Sequence, residues 1–535
     1  LIGGDGPYYP LQIRSLLTKS TLAFSDMPLL FVLEAFLAKI FQIFRIASPE
    51  VCIVWAVQLM EIILTPLSIF PMFYFLKSLK TNDLRLGILD WIMLLFVVFN
   101  YTSFFLLMNS GLQKNMLGLV WLFFYLFYCL QYLRFSQKKD FYWAGLFLLL
   151  GALTHFGIFS QMLIFSLLVG FFTLVFNYQT LMGEKNSFKY LFILIIGSLL
   201  FSLLVFVFDF QRFNRLLSIP FKVFEASVAL YLWQGDLPLN IQVIFWIFLA
   251  NCLNFGAFIL LILYRQRFPI QLLIFAWALL IWAFILASPL LGIEWANRLY
   301  MMSFVPIVLL YGVLCNMLKF RYLQIIPIIV FGFWVCLSLG FSGLEKRAIS
   351  ISQSAYIELV KSKSMIAKLP NSLVIARQDL RLLASWMYES KNMADYLLTQ
   401  KDFDKYDNVL VIRQLKGSYL PLERFREIEI PKNSTKIFVG DYFEISRIND
   451  KKDWPSSQSR TTKSIRGIIT QINGKIISLK REKFGKIRYI NLQKSPKIIT
   501  ANKENKLKNG MKIEVWGELM PFSLNLMATE IMEVK

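Results

Sequence analysis

The sequence predicts a polytopic α-helical membrane body, followed by an extracytoplasmic α/β module and a small OB-like β-barrel. Three observations carry this expectation. Long apolar blocks fill the chain up to about residue 342. From residue 343 the composition turns polar. The last stretch, 464–535, alternates in short segments separated by Asn473-Gly474 and Asn509-Gly510.

Of the 535 residues, 57% are hydrophobic and 16% aromatic, against about 45–50% apolar in a soluble domain. Residues 86–108, 115–133, 189–210, 241–263, 269–288, 300–318 and 322–342 are each long enough to cross roughly 30 Å of hydrocarbon. With 50–76 and a paired crossing over 141–176, about ten spans are expected, in a multi-pass plasma (inner) membrane protein. The chain begins with Leu1 and shows no signal peptide, so a membrane helix ahead of residue 1 is expected. The five cysteines (Cys52, Cys129, Cys252, Cys315, Cys336) lie in apolar segments. They lack metal-ligand spacing and read as small core residues. The net charge of +22 is partly a membrane-topology signal and partly a Lys-rich tail, 451–512. Such a tail suits anionic surfaces or nucleic acid, or is a solvated face.

Short basic loops mark the cytoplasmic side; here they are 77–85, 134–139, 265–267 and 319–321. With all four inside, 50–76 runs inward, 86–108 outward and 115–133 inward. Residues 141–176 are apolar between basic flanks. As one helix they would be about 54 Å long, too long for a single crossing. Two shorter helices turning at Thr154-His155-Phe156-Gly157 resolve this and put His155, the only histidine, on the outer face. The same threading makes 211–240 and 289–299 external loops and the C-terminal part extracytoplasmic. Residues 28–46 carry Glu34, Lys39 and Arg45, which suits an interfacial helix with its charges at the headgroups. The outer face then collects Asp5, Arg14, Asp26, His155, Arg212, Arg215, Glu294 and Arg298.

Four stretches on that face carry a family likeness: Gly4-Asp5-Gly6-Pro7-Tyr8-Tyr9, Asp26-Met27-Pro28-Leu29, Leu153-Thr154-His155 and Asn297-Arg298. In their order and shared sidedness, residues 1–342 resemble the GT-C glycosyltransferases. Protein O-mannosyltransferases, lipid A aminoarabinose transferases and oligosaccharyltransferases belong to that group. The resemblance implies a polyprenyl-phosphate-linked sugar as donor, a glycan, lipid or protein as acceptor, and inversion at the sugar carbon. It implies Asp5, in the first external loop (1–49), as catalytic base. The family often carries two adjacent acids there; this chain has Asp5 alone. Asp26 is a second acid, a metal ligand or a turn acid, so a divalent cation stays open and no other cofactor is called for.

The chemistry of each group agrees with these roles. A carboxylate deprotonates an acceptor at hydrogen-bond range. Arginine offers a permanently charged fork to a departing phosphate. Arg298 either binds that phosphate or snorkels to the headgroups. Arg212 and Arg215, with Lys222, steer an anionic donor or bind lipid. His155 bonds the phosphate, positions the acceptor or caps a helix end. Tyr8, Tyr9, Arg14 and Glu294 are the candidate substrate contacts.

In the α/β module, 343–450, residues 356–367 have helical spacing and 373–376 and 408–413 suit buried strands. An amphipathic helix is expected over 380–398 and a strand pair over 436–448. After a polar linker, 449–463, strands are expected at 467–472, 475–479, 487–492, 512–517 and 524–534. Five strands with Asn-Gly turns look like an OB-type barrel, a fold that binds oligosaccharides or oligonucleotides. Outside the cytoplasm no nucleic acid is expected. Two rivals to glycosyl transfer stand beside it: a transporter or flippase of lipid-linked glycans, and a non-catalytic membrane scaffold with a glycan-binding barrel.

Overall fold

The computed structural model describes residues 7–24, 26–79, 113–181, 227–229, 241–292, 299–300, 302–318, 329, 332, 351–377, 380–388, 400–415, 430, 433–449, 463–474, 476–481, 487–492, 496–499, 507–519 and 526–533. The expected spans 86–108, 189–210 and 322–342 lie outside these residues, as do most of the loop 211–240 and the linker 449–463. The chain divides into two units. One comprises Gln12–Val223 and Leu239–Arg347; the other comprises Leu1–Leu11, Phe224–Pro238 and Ala348–Lys535. The division falls inside the first helix, α1 (Tyr8–Lys19).

The first unit is helical among its described residues. After α1 come α2 (Leu29–Ile43), α3 (Pro49–Leu67), α4 (Ile69–Ser78), α5 (Gln113–Phe135), α6 (Lys138–Thr154), α7 (Phe156–Leu181), α8 (Ile241–Leu263), α9 (Ile270–Leu286) and α10 (Phe304–Leu318). Among the described residues, four stretches are long and apolar enough to cross a membrane: Pro49–Ser78, Gln113–Phe135, Phe156–Phe176 and Phe245–Leu263. The expected spans at 269–288 and 300–318 form the shorter apolar helices α9 and α10. The outward faces are themselves apolar, with Phe36, Ile62, Phe70 and Phe248 each more than 60% exposed. Exposed apolar side chains of this size suit a lipid solvent rather than water.

Side-chain pairs give the helix directions. Trp121, Tyr128 and Tyr132 of α5 meet Phe147, Trp143 and Phe141 of α6 in turn, so α5 and α6 are antiparallel. Gly118 meets Ile158, and Tyr125 shares a hydrogen bond with Ser166, so α7 runs parallel to α5. Gln113 donates to the Val57 carbonyl, Tyr74 packs on Phe127 and Arg134 donates to the Ser78 carbonyl. The segment α3–α4 therefore also runs with α5. Phe165 and Phe172 of α7 meet Trp282 and Trp277 of α9, an antiparallel pair. Asn251 of α8 donates to the Ala287 carbonyl just after α9, and Phe258 packs on Trp277, again antiparallel. Trp246 and Leu253 of α8 meet Ser303 and Tyr311 in and before α10, a parallel pair.

One end of this unit thus holds the starts of α5, α7, α8 and α10 with the ends of α6 and α9. The opposite end holds Ser78, Arg134, Lys138, Lys139, Arg265 and Arg267. The two described basic turns share an end, as the charge pattern requires. The break expected near residues 154–157 falls at His155, where α6 stops and α7 begins.

The second unit contains two small sheets. The first has strand order β1-β2-β4-β3, with β1 (Ser372–Ala376), β2 (Asn408–Gln414), β3 (Thr435–Val439) and β4 (Phe443–Ile448). Strands β1 and β2 are parallel, joined through the helices α12 (Arg381–Tyr388) and α13 (Gln400–Lys405). Strands β3 and β4 form the expected antiparallel pair. The helix expected over 380–398 is described only as α12. Leu373, Ile375, Tyr406, Val409, Val411 and Ile448 form one core cluster. Ahead of the sheet lies α11 (Gln353–Ile366), capped by the Ser352 hydroxyl, which accepts from the Ala355 amide at 3.2 Å.

The second sheet closes on itself. Strands β5 (Lys463–Asn473), β6 (Ile476–Arg481) and β7 (Ile487–Asn491) form an antiparallel meander. Strand β9 (Lys512–Leu519) pairs with β5, and β10 (Leu526–Glu533) pairs with β9. A parallel contact between β10 and β7 completes the ring. A strand not expected from the sequence, β8 (Lys497–Ile499), extends the β7 edge along β10. Ile469, Ile477, Leu479, Ile490, Ile513, Val515, Ala528 and Ile531 fill the interior. The Asn473-Gly474 turn needs a positive φ of 57° at Gly474, a conformation glycine adopts without a Cβ penalty.

Candidate functional site

Asp5, Arg212, Arg215, Lys222, Glu294 and Arg298 lie outside the described residues. Tyr8, Tyr9, Arg14, Asp26 and His155 lie within them. Tyr8 and Tyr9 open α1 rather than sitting in a loop, with ring centroids 5.6 Å apart and nearly perpendicular. Pro10 is accommodated because the first turn of a helix has amides without intrahelical partners. Tyr9 is buried and Tyr8 half-buried. Arg14 lies half-buried on the same helix. The stretch 1–49 is therefore not a plain loop, since both α1 and α2 fall within it.

The segment between α1 and α2 is held from both sides. Gln12 is fully buried, and its amide clasps the backbone of Phe24: Nε2 donates to the carbonyl and Oε1 accepts from the N–H, each at 3.0 Å. Two residues on, Asp26 accepts from the Met27 amide with one oxygen and pairs with the Lys114 ammonium through the other. Lys114 also lies 5.8 Å from the centre of the Phe31 ring. Asp26 thus sits at the end of the unit where α5 starts, in a partly buried ion pair. The sequence reading did not single out Lys114 or Gln12. No local signal marks either, because each acts on residues distant or unremarkable in sequence.

His155 has an extended backbone (φ −155°, ψ 120°) between α6 and α7. Its carbonyl accepts from the amides of Ile158 and Phe159, each at 3.1 Å. Its Nδ1 faces the Ile158 amide at 3.3 Å. The ring therefore caps the start of α7. A Cβ at Gly157 would lie 2.9 Å from the imidazole, so glycine makes room for this ring position. Beside it, Trp121 donates to the Thr154 hydroxyl at 3.0 Å, which donates to the Leu150 carbonyl at 2.7 Å.

Glu34 departs from expectation. Rather than reaching the headgroups with Lys39 and Arg45, it is fully buried, while Lys39 and Arg45 are exposed. It lies on the face of α2 that carries Leu30, Phe31, Ala35 and Ala38 inward. That face is packed, so the carboxyl goes in with it. Among the described residues no group of three His, Cys, Asp or Glu side chains is placed to hold a metal ion. Compared with known proteins, the chain matches no family model and no curated sequence.

Proposed function

We propose that this chain is an integral-membrane glycosyltransferase that moves a sugar from a polyprenyl-phosphate donor to an acceptor at the outer membrane face. The observation that carries the reading is the gathering of polar groups at one end of the helical unit. Asp26 with Lys114, and the His155 break with Trp121 and Thr154, stand at the end away from the basic turns. A surface of that kind suits a phosphate-bearing lipid headgroup and a hydroxyl acceptor.

In this reading the Asp5 carboxylate takes the proton from the acceptor O–H. The acceptor oxygen attacks the anomeric carbon from the face opposite the phosphate. The carbon–oxygen bond to phosphate breaks with inversion, and Arg298 holds the charge left on the lipid phosphate. Arg212 and Arg215 guide the donor, while Tyr8, Tyr9, Arg14 and Glu294 contact the substrates. Ion-paired as it is, Asp26 supports the site rather than serving as first base. The C-terminal ring has the strand pairing of an OB-type barrel, a fold used for oligosaccharides, which fits a glycan acceptor.

A second reading, a transporter of lipid-linked glycans, is favoured by the fully buried Glu34, since ionisable groups inside membrane bundles often mark transport paths. Radiolabelled sugar transfer by the purified protein separates the two. Asp5→Asn is expected to slow transfer by about 10²–10⁴-fold even at saturating donor. Arg298→Ala is expected to recover partly as donor is raised. Transfer at the parent rate by Asp5→Asn removes Asp5 as base, and no transfer by the parent protein, with translocation in vesicles, selects the transporter.

A further inference from the structure

We infer that the outward face of strands β5, β6 and β7 binds an anionic glycan, a sugar chain carrying carboxylate or phosphate groups. Strand alternation builds this face. Ile469, Ile477, Leu479 and Ile490 point into the ring and belong to its core. Their neighbours in sequence stand on the other side. Ile468, Ile476 and Tyr489 are 44%, 46% and 53% exposed, Lys480 is exposed and Ser478 is half-buried.

The pairing register brings these residues together. Ser478 lies opposite Tyr489, and Ile468 lies between Lys480 on β6 and Lys512 on β9. Lys480 and Ile476, two residues either side of Ser478, are the diagonal neighbours of Tyr489. Opposed residues have Cβ atoms about 4.5–5.5 Å apart, and diagonal ones about 7–8 Å. One ring and two isoleucines thus share a patch with two lysines. Charge is divided unevenly around the ring. Residues 475–497, which include β6 and β7, hold eight Lys and Arg and one acid, Glu482. Four acids, Glu514, Glu518, Glu530 and Glu533, stand instead on β9 and β10. Of these, Glu514 is paired with Arg466 at 2.9 Å.

A sugar ring has a C–H face that packs on aromatic or aliphatic surface, and hydroxyls around its edge. Tyr489, Ile468 and Ile476 serve the first. Ser478 and the exposed Gln471 opposite it serve the second. Lys480 and Lys512 attract the anionic groups. Single-stranded nucleic acid takes a run of rings for successive bases, whereas β5, β6 and β7 contain one aromatic residue, Tyr489. Docking on a membrane surface uses one continuous apolar face, whereas the apolar residues here are interleaved with lysine and serine. The inference rests on the proposed glycosyl transfer and deepens it, by giving the acceptor a charge.

The test measures binding without sugar donor, so its failure leaves the transfer reaction to be judged by Asp5→Asn. The full chain in zwitterionic nanodiscs is titrated with oligogalacturonate and with a phosphorylated oligomannose, each beside its neutral form, the methyl ester or the dephosphorylated sugar. Poly(dT) and phosphatidylglycerol vesicles are titrated in parallel. At least one charged glycan is expected to bind more tightly than its neutral form and to weaken as salt rises; the tighter of the two names the anion. Tyr489→Ala is expected to weaken that binding by about 3–10-fold, and Tyr489→Phe to keep it. Lys480→Gln combined with Lys512→Gln is expected to bring the charged glycan down toward its neutral form. Equal affinity for charged and neutral forms, or parent-like binding by Tyr489→Ala or by the double lysine variant, overturns the site. Tighter binding of poly(dT) or of the vesicles than of either charged glycan overturns the choice of a glycan. Should Tyr489→Ala not fold, the double lysine variant decides alone.

Discussion

The ammonium of Lys114 is paired with the carboxylate of Asp26 across 88 positions of sequence. Both groups are largely buried, at 18% and 9% exposure. The pair fastens the segment leading into α2 to the first turn of α5. Asp26→Asn removes the carboxylate charge that pairs with the ammonium and is expected to cost about 1.5–3 kcal/mol. Adding Lys114→Met should recover much of that loss, because both charges are then gone. Thermal unfolding of the four proteins in detergent checks this. A loss of sugar transfer in Asp26→Asn without loss of stability would instead make Asp26 a reacting group.

His155 offers a clean division between capping and chemistry. His155→Ala removes the side-chain acceptor at the start of α7 and is expected to cost about 0.5–2 kcal/mol. Asparagine is among the best residues at such a position, so His155→Asn should restore stability. If the imidazole also contacts substrate through Nε2, the Asn variant will melt like the parent yet transfer sugar slowly. Parent-like transfer by the Asn variant leaves His155 as a cap alone.

In the α/β module the carboxylate of Glu358 on α11 accepts from three consecutive amides of the β3–β4 turn. Asp441 donates at 2.9 Å, Tyr442 at 3.0 Å and Phe443 at 2.7 Å. Glu358→Ala orphans these donors and is expected to cost about 1.5–3 kcal/mol. Hydrogen exchange should quicken at 441–443 first. Glu358→Gln keeps one acceptor oxygen and should fall between the two.

The closed ring makes a prediction at Gly467. A Cβ there would overlap the backbone carbonyl of Lys480 on the neighbouring strand, and backbone cannot rotate away as a side chain can. Gly467→Val is therefore expected to open the β5–β6 pairing and abolish the β-type circular dichroism of residues 464–535 made alone. The unsubstituted piece is expected to be soluble with that spectrum, because its core cluster is drawn from its own strands. A disordered spectrum from the parent piece rejects the ring as a self-contained fold.

Much of this architecture was readable along the chain. Apolar blocks of sufficient length specify α5 and α8, because a hydrocarbon solvent demands only internally bonded backbone and apolar side chains. The interruption at His155 followed from length and flanking charge. The C-terminal strands followed from alternation and Asn-Gly turns, whose signals span only a few residues. By contrast α1 was not read as a helix. Its Gly-rich approach and Pro10 imitate a loop, and only the unpartnered amides of a first turn make that proline harmless.

The sequence alone therefore determined which segments are apolar helices, where the chain breaks and which stretches pair as strands, because those depend on neighbours in sequence. Tertiary structure alone decided which charges meet. Glu34 reads as a headgroup charge on a lone helix, and becomes a buried acid only because α2 turns that face onto α3. Asp26 reads as a turn acid, and becomes an ion-pair partner only because α5 begins beside it. Electrostatic energy depends on distance and burial in space, and neither is written in the spacing of residues along the chain.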